Sequence, residues 1–177
     1  MAPVGSYESL MAAIQGGANA VYFGIGKLNM RSRSTVNFTM DDLAEIGLRC
    51  QEHHIKTYLT INAVVYDHEM EEVTLLLEAA KKHAISAIIA SDWAVIERAR
   101  QMGIEVHAST QCNITNIEAV RFYARYTDVM VTARELNLKQ VDAIVHQIKQ
   151  EHICGPSGKL VKIEIFVHGA LCMAVSG

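Results

Sequence analysis

The chain repeats one local pattern. A short apolar run rich in β-branched and aromatic residues is followed by a few polar residues, then by a stretch with helical spacing of its apolar side chains. Runs of the first kind occupy 20–24, 56–63, 86–90, 104–108, 128–132 and 162–167. Their length and composition predict strands buried on both faces. Thr39 is placed to cap a helix reaching His53. Asp67 is placed to cap a second, in which Val73, Leu76, Leu77 and Ala80 form an apolar stripe. Asp92, Asn116 and Asn137 are set to start three more, and a further helix is expected over 7–15. Repeated strand–helix units imply parallel strands joined by right-handed crossovers.

Two architectures satisfy that pattern, an open doubly wound sheet and a (β/α) barrel. There is no GxGxxG fingerprint, and Gly24-Ile25-Gly26 reads as a tight turn. Barrels instead carry their chemistry just past the C-terminal ends of the strands. Polar residues stand there. Asn29, Arg31, Arg33 and Asn37 follow the first run, Asn62 ends the second and Asp92 follows the third. Ser109, Thr110 and Gln111 follow the fourth, Arg134 and Glu135 the fifth, and His168 the sixth. The expected fold is therefore α/β, a partial TIM-like (β/α)8 barrel with parallel strands. A complete barrel takes about 250 residues, and this chain has 177. Residues 1–6 read as the end of a strand and a turn, and the chain stops just after a cysteine-bearing stretch. The expectation is one incomplete barrel domain over 1–177, truncated at both ends, from the N-terminal part of a larger protein. An unclosed sheet exposes strand edges, so self-association is expected.

Composition narrows the function classes. The formal charge is −3 and the pI near 6.2, so no broad basic footprint announces nucleic acid. No apolar run is long enough to span a bilayer, and the N-terminus lacks the basic start and apolar core of a secretory signal. Cysteines at 50, 112, 154 and 172 are widely spaced, which fits reduced thiols and a cytoplasmic location.

Chemistry-bearing residues are few. There is no HExxH, CxxC or GxSxG, and Glu52-His53-His54 reads as a solvated helix end. Cys172 lies four residues after His168, and Cys112 five after His107. Either pair could activate a thiolate, although such spacing also arises by chance. Arg31, Arg33 and Arg134 could bind phosphate or carboxylate, or could simply be solvated or paired with acids. Gln111 and Asn113 could orient a polar ring, and Asn116 could do so or serve only as a cap. His107, at a strand end, could be a satisfied core histidine or a site residue.

At these residues the sequence resembles peptidase family U32, the collagenase-like family. The resemblance runs through Ala2-Pro3-Val4-Gly5-Ser6-Tyr7-Glu8-Ser9-Leu10, Gly17-Ala18-Asn19-Ala20-Val21-Tyr22-Phe23-Gly24, Asn29-Met30-Arg31 and Asn37-Phe38. It continues through Ser109-Thr110-Gln111-Cys112-Asn113 and Ala133-Arg134-Glu135-Leu136. It is most specific from Glu164 through Gly177, especially in Phe166-Val167-His168-Gly169-Ala170-Leu171-Cys172 and Ser176-Gly177. The family pattern goes on to further cysteines.

The resemblance implies a partial barrel from a bacterial protein, and it implies either of two chemistries. Some members are described as collagenases. Others are associated with oxygen-independent hydroxylation of tRNA or rRNA pyrimidines, or of a ubiquinone precursor. Those are linked to a [4Fe-4S] cluster, and the RNA enzymes to prephenate as hydroxyl source. Cys172 would be one cluster ligand, with the others beyond Gly177, so this chain alone is expected to lack the cluster and to be inactive. On the hydroxylation reading Arg31, Arg33 and Arg134 would hold an acidic co-substrate or RNA phosphate, and Gln111 and Asn62 would shape the pocket. On the peptidase reading Cys172 and His168 would act on a peptide. A third reading is a noncatalytic anion-binding member. The first is preferred, because cysteines bound to a cluster cannot also serve as free nucleophiles.

Overall fold

The computed structural model describes residues 1–30 and 38–168. Arg31, Arg33, Asn37 and Cys172 lie outside the described residues. The chain forms two compact units, Met1–Glu105 and Val106–Gly177.

The first unit runs β1 (Ala2–Pro3), α1 (Tyr7–Gln15), β2 (Ala20–Gly24), α2 (Asp42–Glu52), β3 (Lys56–Ile61), α3 (Met70–Lys82), β4 (Ala87–Ala90) and α4 (Trp93–Gln101). Its strands pair in chain order and all in parallel. Phe23 aligns with Leu59 and Leu59 with Ile88, while Gly24 aligns with Thr60 and Thr60 with Ile89. Side chains alternate between the faces of a strand. Val21, Phe23, Leu59, Ile61 and Ile88 share one face, and all are fully buried. Ala20, Tyr58, Ala87 and Ile89 cluster on the other, with Tyr22 against them. Burial of both faces explains why these runs read as continuous apolar segments.

Helix starts follow local hydrogen-bond competition. Ser6 caps α1 in a reciprocal box with Ser9. Asp92 caps α4, accepting from Ala94 N at 2.9 Å. Thr39, expected to cap α2, does the reverse: its N–H and hydroxyl donate to Asp42 Oδ2 at 2.7 and 2.8 Å. The Asp42 carboxylate is the stronger acceptor, so the helix begins there. Tyr7 Oη also donates to Asp42 Oδ1 at 2.7 Å, tying α1 to α2. Asp67 begins a 3-10 turn, Asp67–Glu69, instead of capping α3 directly, and Glu69 Oε2 accepts from Tyr66 N at 3.0 Å.

The second unit runs β5 (Val106–Ala108), α5 (Ile117–Tyr123), β6 (Val129–Val131), α6 (Leu138–Gln150) and β7 (Lys162–Glu164). β5 pairs with β6 and β6 with β7, again in parallel. Asn116 and Asn137 cap α5 and α6 as their positions predict. Ala108, Met130 and Ile163 form one row across the strands and pack with Val120, Ile144 and Ile148 of the helices. His107, Val129, Val131 and Glu164 therefore belong to the opposite face. β7 is shorter than the apolar run 162–167 suggests: Ile165, Phe166 and Val167 lie beyond the paired residues and are exposed. The stretch 155–158 joins α6 to β7 as a tight turn. Asp128 Oδ1 accepts from both Ser157 N (3.1 Å) and Ser157 Oγ (2.6 Å). A Cβ on Gly155 would stand 2.3 Å from that same oxygen, so only glycine fits there.

Hydrogen bonds from Thr39 and Tyr7 hold the Asp42 carboxyl below the usual carboxylate range. A depressed folded pKa adds stability that is complete above the unfolded value and is lost as pH falls through the folded one. Asp42→Asn is expected to lower Tm by about 2–4 °C at neutral pH, as for the loss of about 1 kcal/mol. That gap should close as acid is added below about pH 4. Thermal melts of both proteins from pH 7 to pH 2.5 check it, and a gap independent of pH would contradict it.

Candidate functional site

In the first unit the residues that follow β2, β3 and β4 are tied to one another. Asn29 is 1% exposed, and its Nδ2 donates to Ile25 O at 3.2 Å and Gly26 O at 3.1 Å. Its amide occupies the space a side chain at position 24 would fill: a Cβ on Gly24 would lie 2.2 Å from Asn29 Cγ. Asn62 Oδ1 accepts from Met30 N at 3.1 Å, and Asn62 O accepts from Ser91 Oγ at 3.2 Å. Asp92, besides capping α4, accepts from Val65 N at 3.4 Å. The three predicted site residues Asn29, Asn62 and Asp92 are thus brought together as the framework that positions these loops. Lys27 adds ion pairs to Glu69 (3.2 Å) and Glu72 (3.6 Å). Such partly exposed pairs contribute little on their own.

In the second unit His107 lies on β5 and is 2% exposed. Ser109, also buried, accepts from Gln111 N at 3.4 Å and starts the 3-10 turn Thr110–Cys112. Asn113 ends that turn in a left-handed conformation (φ 51°), a geometry asparagine tolerates well, so its placement has a backbone cause. Gln111 is exposed beside it, Arg134 and Glu135 occupy an exposed turn after β6, and His168 is exposed past β7. Three buried polar side chains are not among the predicted site residues. The Glu164 Oε2, Thr60 Oγ1 and Thr127 Oγ1 atoms are buried with no hydrogen-bond partner among the described residues. Strand alternation counted from the helix-packed Ile163 places Glu164 on the His107 face, but only once the three-residue length of β7 is known.

Burial disfavours the thiolate at two of the described cysteines. Burial pushes the Cys50 thiol up to about 11. Burial also raises Cys112, outweighing its hydrogen bonds with Tyr123 and Ser109. Tyr123 is itself raised to about 12, mainly by burial. An iron–sulfur cluster usually takes four thiolates. Cys50, Cys112 and Cys154 form no disulfide among the described residues, and no group of three or more metal-ligating side chains forms among them. The described residues therefore do not fit a cluster. No helix among them is long and apolar enough to cross a membrane.

Parallel strands in chain order, helix crossovers and polar residues at the C-terminal strand ends define a protein of the (β/α)-barrel class. Residues 5–177 match the family model "Peptidase family U32", and the chain belongs to that family. It is similar to the solved U32 peptidase Mk0906 (TM-score 0.69, 11% identity), covering 93% of this chain and 65% of that one. The fold is accordingly an α/β partial barrel. The chain is 58% identical to a protein named collagenase from Porphyromonas gingivalis, over 100% of this chain and 43% of the relative. It is 35% identical to the 23S rRNA 5-hydroxycytidine C2501 synthase of Escherichia coli, over 93% of this chain and 23% of that protein. The chain thus spans less than half the length of these curated relatives.

Gly24→Ala is expected to cost about 1–3 kcal/mol by driving a methyl into the Asn29 amide. Adding Asn29→Ala removes the obstacle, so the double variant should lose less than the two single losses added together. Urea midpoints of the four proteins form the cycle, and strict additivity would contradict the contact.

Proposed function

We propose that the protein from which this chain comes hydroxylates an RNA pyrimidine without molecular oxygen. The observation that carries the reading is the chain's sequence identity, over at least 93% of its length, to proteins named for hydroxylation of tRNA and rRNA. Burial also raises the Cys50 and Cys112 thiols, which disfavours the thiolate at both. Cys172 is proposed as one thiolate ligand of a [4Fe-4S] cluster, completed by cysteines from elsewhere in the protein. The cluster would supply one-electron chemistry. The hydroxyl source is proposed to be an anionic co-substrate such as prephenate, which Arg134 suits by charge, as Arg31 and Arg33 do by sequence. The substrate is tRNA or rRNA.

A second reading, hydrolysis of a collagen-like peptide, is favoured by the 58% identity to a protein named collagenase. The two readings separate in one experiment. Deleting the gene should remove a 5-hydroxypyrimidine nucleoside from total RNA measured by mass spectrometry, and the complete gene on a plasmid should restore it. An unchanged nucleoside profile, with gelatin cleavage by the purified protein, would establish the peptidase instead.

A further inference from the structure

We draw no further inference here: the strongest candidate, the exposed apolar surface at the strand ends of the first unit, where Met30, Val64, Tyr66 and Trp93 stand past β2, β3 and β4, carries nothing, because nothing in the structure shows what covers it.

Discussion

The structure depends on the register of its parallel strands. A strand side chain faces one side or the other with period two, so a slip of one residue would invert every face. In the first unit the alignment of Phe23, Leu59 and Ile88 puts the bulkiest apolar residues on one face. The same alignment puts Gly24 beside Thr60, where the strand ends and the loop bearing Asn29 begins. In the second unit the row Ala108, Met130 and Ile163 commits one face to the helices. That commitment sends His107 and Glu164 to the other face together.

The loops beyond the strands depend on a second requirement, that buried backbone groups find partners. Side-chain amides and carboxylates do this work where no strand neighbour remains. Asn29 satisfies two carbonyls of its own turn, Asn62 takes the N–H of Met30, and Asp92 takes those of Ala94 and Val65. Polar residues past a strand end therefore serve two masters. Asn29, Asn62 and Asp92 build the framework, whereas the buried Oε2 of Glu164 satisfies no group of the described framework.

How much of this was legible follows from the same physics. The strand Ala20–Gly24 and the helix Tyr7–Gln15 agree with their sequence patterns residue for residue. Burial on both faces marks such strands, and a serine cap marks such a helix. The caps Asp92, Asn116 and Asn137 were readable because each immediately precedes the first helical residue. Thr39 was misread because a carboxylate three residues on outcompetes a hydroxyl for the role of acceptor. Strand ends were overrun wherever apolar residues continue past the last pairing partner, as at 165–167. Of the candidate site, the framework asparagines and Asp92 were visible as residues but not as scaffolding. Glu164 was legible only as the start of the stretch 164–177, and its burial was not, since a strand of three residues offers almost no alternation to read.

The central proposal is that the protein performs redox chemistry and that Cys172 binds metal instead of attacking a carbonyl. A thiolate shared with iron is not a free nucleophile, so the two roles exclude each other. The most direct measurement is the iron and acid-labile sulfide content of the protein expressed from its complete gene and purified without oxygen, beside Cys172→Ser. The account predicts close to four iron and four sulfide per protein chain in the wild type and loss of both in the variant. Wild-type protein free of iron and sulfide, with peptide cleavage that Cys172→Ser abolishes, would contradict it.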